Sequence, residues 1–294
     1  MHRTLAVALA LLLTALVAAP AQAATVHRTF VAKVGSDGRN GTAQIEAYTD
    51  GTGRRTYALK NLRKNTTYRV RVYKGKCSRN GDRVAKIGRV TTNASGAVSL
   101  VRGLGITKMN RIWTANYNHR LSIRFIAGSS VRCGNLNFTH ATRVWIPKQD
   151  VLGRGINLPV VRSPRGYPYC DVAMYMGALN QPTEPGVTYL FAHARKGMFL
   201  PLLDEWLQNR GVDMIGLKVY VYTSDNTRYT YVVDKVWKSK TLDGVYTSNE
   251  QLWLQTSTGP NYTYPKLFLR AKRTDAIAVS WSAAHPTAHR VKCG

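Results

Sequence analysis

The sequence predicts a mostly β protein of two successive parts, a β-sandwich followed by a β-barrel with short helices. Three observations predict it. The first half is a series of short runs of alternating apolar and polar residues, separated by turn pairs such as Asp50-Gly51 and Ser95-Gly96, the period-two pattern of half-buried strands. The second half repeats the pattern in longer runs bounded by prolines, with little that reads as helix. A length of 294 residues suits two compact units better than one, since domains cluster at roughly 100 to 150 residues.

Taken in chain order, residues 1–23 read as a secretory signal. His2 and Arg3 make a basic start, the stretch from Leu5 to Val17 is almost unbroken apolar, and Ala21-Gln22-Ala23 offers small residues for cleavage, so the mature chain is expected to begin near Ala24. The apolar run is shorter than the roughly 20 residues of a helical membrane span. Residues 24–140 form the expected sandwich domain, with strands at 44–48, 56–59, 68–73, 97–101 and 121–126 and one short helix at 106–113. The boundary falls near residues 139–147, and residues 144–294 form the expected barrel domain. That domain opens at Val144-Trp145-Ile146-Pro147 and continues through 155–161. Residues 171–179 and 201–208 read as short helices, the second capped at Gly211. Residues 217–222 and 229–237 alternate around Thr223-Ser224-Asp225-Asn226 as a hairpin, and 252–256 and 267–271 supply the remaining strands.

Four cysteines, Cys77, Cys133, Cys170 and Cys293, form an even set in a chain expected to leave the cytosol, where two disulfides are the default. Three connectivities are open. Cys77 with Cys133 and Cys170 with Cys293 is favoured, because each bridge then closes within one domain. Lysine plus arginine number 42 against 15 acids, a net charge of +27, and residues 24–144 alone hold 23 basic and 4 acidic side chains. Such a field attracts polyanions and is screened by salt. With no aromatic-lined motif beside the charge, acidic envelope polymers fit better than a specific nucleic acid. Arg69, Arg71, Lys74 and Lys76 are the candidate polyanion contacts.

Gly41-Thr42-Ala43, the turn at Leu62, Tyr68-Arg69-Val70-Arg71, Cys77 and Ser130-Val131-Arg132-Cys133-Gly134 together resemble the Greek-key sandwich of copper/zinc superoxide dismutases over about 110 residues. In that family the strand matching Tyr68 to Arg71 carries copper-binding histidines. Arg69 and Arg71 occupy those positions here, and a cation does not replace neutral imidazole as a ligand. His27, His119 and His140 are scattered, and Pro286 between His285 and His289 argues against a helical ligand pair. The resemblance therefore implies a metal-free scaffold, and no cofactor is expected.

Tyr189-Leu190-Phe191-Ala192-His193-Ala194-Arg195-Lys196-Gly197-Met198-Phe199 and Leu254-Gln255-Thr256-Ser257, with the opening at 144–161, are similar to the sortase family over roughly residues 144–275. The resemblance implies a β-barrel and acyl transfer on peptides: a cysteine thiolate attacks a backbone carbonyl, a histidine protonates the leaving amine, and an arginine stabilises the oxyanion. His193 matches the histidine, but Ser257 stands where the family has its cysteine. A hydroxyl needs its proton removed during attack, so a base, with a carboxylate behind it, is required; Asp171 and Asp234 are candidates. For the arginine, Arg270 lies thirteen residues after Ser257 and Lys266 nine after. Arg270 is the first choice for its forked donors, with Lys266 as the alternative. A relocated Cys170 nucleophile is the remaining possibility, against which its pairing with Cys293 is the simpler assignment. The expected protein is a secreted, monomeric relative of this family, either a serine variant of the chemistry on peptide or surface-protein substrates or an inactive form that keeps the peptide groove. The alternative is a non-catalytic envelope-binding protein whose basic sandwich is the working part.

Overall fold

The computed structural model describes residues 24–79, 81–148, 153–164, 168–259 and 263–293; the expected signal segment lies outside them. Eight strands come first: β1 (Val26–Lys33), β2 (Gly41–Tyr48), β3 (Gly53–Leu59), β4 (Thr67–Lys74), β5 (Arg83–Thr91), β6 (Val98–Leu104), β7 (Leu121–Ala127) and β8 (Ser130–Leu136). They form two antiparallel sheets, ordered β1-β2-β3-β6 and β5-β4-β7-β8. One core joins the sheets, with Phe30, Ile45 and Tyr57 from the first meeting Val70, Ile87 and Phe125 from the second. On β4 the alternation is plain: Tyr68, Val70 and Val72 are buried, whereas Arg69 is exposed and Arg71 half-exposed. A helix, α1 (Ile106–Asn118), is longer than expected and buries Met109 and Ile112 in the same core.

Three of these strands, β1, β5 and β8, are absent from the sequence expectation. The reason is clear for β5. Its pairing with β4 shifts register at Val70/Arg71, beside Gly88, whose φ of +130° places it where L side chains are strained. The bulge interrupts the alternation that would have marked the strand.

The second part is a closed barrel of eight strands in the order β10-β12-β13-β16-β17-β15-β14-β9. In chain order these are β9 (Ala141–Ile146), β10 (Ile156–Arg162), β12 (Ala173–Tyr175), β13 (Val187–Phe191), β14 (Lys218–Thr223), β15 (Thr227–Ser239), β16 (Gln251–Thr256) and β17 (Lys266–Ala278), with a short β11 (Tyr169–Cys170) outside paired to β18 (Val291–Lys292). The mostly β architecture with short helices is thus present. The barrel core runs from Ala141 and Val144 through Leu190 and Leu254 to Leu269 and Ala271. The expected helix at 201–208 is α2 (Leu200–Asn209), and a four-residue α3 (Trp281–Ala284) follows the barrel.

The expected helix at 171–179 is not formed. Val172, Ala173, Met174 and Tyr175 are all buried, and β12 pairs parallel to β10 and antiparallel to β13. An apolar run buried on both faces has no period of its own, so strand and helix look alike in sequence.

A buried ion pair links the two parts. Arg28 on β1 is 1% exposed, and its Nε and Nη2 each lie 2.7 Å from the Glu184 carboxylate of the barrel. Its guanidinium also sits 4.7 Å from the centre of the Trp113 ring and 4.4 Å from that of Phe138.

Candidate active site

Three barrel strands bring the segments bearing His193, Ser257 and Lys266 to one end of the barrel. β13 and β16 run parallel in register, from Val187 opposite Gln251 to Phe191 opposite Gln255, so the 64-residue separation of His193 and Ser257 is the register of this pair carried two residues further. Beyond the paired segment the Ala192 N–H donates to the Gln255 carbonyl at 3.2 Å, and the buried Thr256 hydroxyl donates to the Ala192 carbonyl at 3.0 Å. These two bonds hold the segments bearing His193 and Ser257 side by side at the barrel mouth.

β17 approaches from the other side. Its pairing with β16 ends with Thr256 opposite Leu267, which sets Lys266 against Ser257, and Lys266 Nζ donates to Ser257 Oγ at 2.9 Å. Burial pushes the Lys266 ammonium below the ordinary lysine range, because a desolvated site disfavours the charged form. The Tyr264 ring lies 4.6 Å from Nζ.

Arg270, the first choice for the oxyanion cation, is elsewhere. It pairs across the sheet with Trp253, about 13 Å along the strand from Lys266 by the rise per residue. Its guanidinium grips Asp234 at 2.7 and 3.0 Å, and Lys272 reaches the same carboxylate at 3.0 Å. Burial pushes the Asp234 carboxyl up, but the hydrogen bonds from Arg270 and Lys272 outweigh it and hold the group low. Asp234 is therefore committed to these cations, and Asp171 is exposed in the turn between β11 and β12.

His193 is half-buried. Its Nε2 lies 3.5 Å from the Pro168 carbonyl and 3.2 Å from Cys293 Sγ. Burial lowers its pKa, the Pro168 carbonyl opposes this, and the positive charges of Arg195 and Lys266 add to the lowering, so the ring is mainly neutral at pH 7.

Both expected disulfides are formed, Cys77 with Cys133 and Cys170 with Cys293. Cys170, His193 and Cys293 bring their ligand-type atoms within 4.8 Å of one another. With both sulfurs joined, neither offers the thiolate that a soft metal ion requires. Arg195 Nη1 donates to Cys170 Sγ at 2.8 Å. Nothing in the sequence marks a role for Arg195, because its sulfur partner sits on another strand.

On the sandwich, Arg69 and Arg71 point outward from β4, Lys74 pairs with Asp82 at 3.3 Å, and Lys76 is exposed in the following turn. Across the sheet Arg71 has Lys86 on one side and Arg124 on the other, and Arg69 has Arg89. Those three neighbours went unnoticed in the sequence, since only pairing reveals that they form rows with Arg71 and Arg69.

Neither a protein-family model nor a curated protein matches the sequence. Among solved structures the chain is similar to sortase A of Listeria monocytogenes, at 15% identity and a TM-score of 0.38, over 50% of this chain and 98% of that one. It is also similar to sortase C1 of Streptococcus agalactiae, at 17% identity and a TM-score of 0.34, over 48% of this chain and 70% of that one. A sortase C of Streptococcus pneumoniae matches at 20% identity and a TM-score of 0.34, over 46% of this chain and 68% of that one.

Proposed function

We propose that the barrel mouth carries out acyl transfer on peptide or surface-protein substrates outside the cytoplasm, with Ser257 as nucleophile and Lys266 as its base. The observation that supports this reading is the 2.9 Å contact between Lys266 Nζ and Ser257 Oγ, made by a lysine whose burial favours the neutral amine. Serine–lysine pairs are among the arrangements by which a hydroxyl is activated. As Ser257 Oγ attacks the carbonyl carbon, its proton passes to the Lys266 amine. The resulting ammonium returns that proton to the departing amine as the C–N bond breaks. The ester on Ser257 is then cleaved by an incoming amine or by water. The disulfides fit a compartment beyond the reducing cytosol, and among the described residues no helix is long and apolar enough to cross a membrane.

A transpeptidation and hydrolysis assay on a library of sorting-type peptides tests this. Turnover by the native chain that falls by roughly 10³-fold or more in both Ser257→Ala and Lys266→Met supports it. Turnover that appears only in Ser257→Cys would instead identify a preserved groove with disabled chemistry.

A second reading rests on the row Lys86, Arg71 and Arg124 across β5, β4 and β7. Like charges directly opposite one another destabilise a sheet unless an anion relieves them, which supports an acidic envelope polymer as partner of this face. Retention of wild-type affinity for a teichoic-acid-type polymer after Arg69, Arg71, Lys86 and Arg124 are all changed to glutamine would reject it.

A further inference from the structure

The Cys170–Cys293 bridge is set among groups that favour its opening. Cys170 is buried, at 6% exposure, whereas Cys293 is partly exposed, so an attacking group reaches Cys293 Sγ first and displaces Cys170. The departing sulfur already accepts a hydrogen bond from the Arg195 guanidinium at 2.8 Å. A cation beside a sulfur, even on an exposed side chain such as Arg195, stabilises its thiolate, which makes it a better leaving group and favours the reduced state. The second sulfur has a titratable neighbour of its own, since His193 Nε2 lies 3.2 Å from Cys293 Sγ. Exposed Lys196 and Lys292 flank the same spot in sequence. A negatively charged thiol is therefore the favoured visitor.

We propose that Cys170–Cys293 is an exchange-competent disulfide that takes two electrons from small anionic thiols, entered at Cys293 and released at Cys170. In the first step the thiolate sulfur bonds to Cys293 Sγ, the Cys170–Cys293 bond breaks, and Cys170 leaves as a thiolate against Arg195. In the second step another thiolate attacks the visitor's sulfur in this mixed disulfide, and Cys293 leaves as a thiolate beside His193. Two thiols are oxidised to one free disulfide, and the protein disulfide is reduced to two cysteines. Of the two protons given up by the thiols, one ends on Cys293 by way of the His193 ring, and the other stays in solvent while Cys170 remains ionised. The bridge also ties β18 to β11, so opening it loosens the chain beside the His193 ring. The chemistry needs neither Ser257 nor a peptide, so it stands or falls separately from the acyl-transfer reading.

The test uses the intact protein and its other bridge, Cys77–Cys133, as internal reference. The oxidised chain is exposed to reduced glutathione, a net-negative thiol, and in parallel to cysteamine, a cationic one. Samples are acid-quenched and alkylated, and each cysteine is followed by peptide mass mapping. The expected result is that glutathione opens Cys170–Cys293 about threefold or more ahead of Cys77–Cys133, as one unit of leaving-thiol pKa gives at a Brønsted slope near one half. Glutathione is trapped on Cys293, cysteamine is slower, and Arg195→Gln removes most of the advantage. Equal opening of the two bridges, earlier opening of Cys77–Cys133, trapping on Cys170, or an Arg195→Gln variant that opens as fast as wild type would each overturn the proposal. The wild-type comparison requires no variant to fold.

Discussion

Lys266 is subject to two opposed demands. Desolvation of its amine favours the neutral form, while the face of Tyr264 at 4.6 Å favours the ammonium. The net shift is downward, and it sets the direction of a pH dependence. A lysine base works only when deprotonated, so turnover should rise with pH as Lys266 loses its proton, with a midpoint below the ordinary lysine range; a pH–rate profile of kcat/KM measures it. Lys266→Arg should abolish this limb and the activity with it, since a guanidinium does not give up its proton. Ser257→Cys should move the rise to lower pH, because a thiol ionises far more readily than a hydroxyl. The segments bearing Ser257 and His193 stand out in the sequence because their neighbours carry a recognisable pattern. Which cation lies beside Ser257 does not stand out, because Lys266 and Arg270 are on the same strand and only the register of β16 with β17 places Lys266 there.

At the level of elements, the parallel pairing of β13 with β16 positions the candidate site. Its outer edge is fastened by Thr256 Oγ1 on the Ala192 carbonyl, at a residue with no exposure. Thr256→Val keeps the shape and removes the donor. It should cost about 1 to 3 kcal/mol in a denaturant titration and lower kcat more than it raises KM, because the segments bearing His193 and Ser257 lose their tie. Strands such as β4 and β7 were readable from alternation alone. Those whose alternation is interrupted, as at Gly88 in β5, or replaced by burial on both faces, as in β12, were not. Their pairing partners supply the information that local sequence lacks.

At the scale of the whole molecule, residues 156 positions apart join sandwich and barrel, since Arg28 and Glu184 form a buried pair. Nothing local in sequence marks either residue as buried. Removing one partner strands the other's charge, so Glu184→Ala should destabilise the chain by about 3 to 5 kcal/mol. Replacing both by apolar residues of similar volume should cost far less, and urea unfolding of the two variants separates these outcomes. The charge asymmetry belongs to this scale too. Binding of an acidic polymer to the sandwich should weaken steeply between low and physiological salt, which titration calorimetry at several ionic strengths records.

The sequence separation of the two bridges carries a consequence for how the chain assembles. Cys77 and Cys133 are 56 residues apart, whereas Cys170 and Cys293 are 123 apart and enclose β12 through β17. Contacts that close longer loops form later on average. During oxidative refolding the sandwich should therefore lock first, and the barrel should be sealed only after nearly all its strands have been laid down. Pulse alkylation at intervals after dilution from denaturant should find Cys170 and Cys293 still reactive after Cys77 and Cys133 have disappeared from the labelled pool.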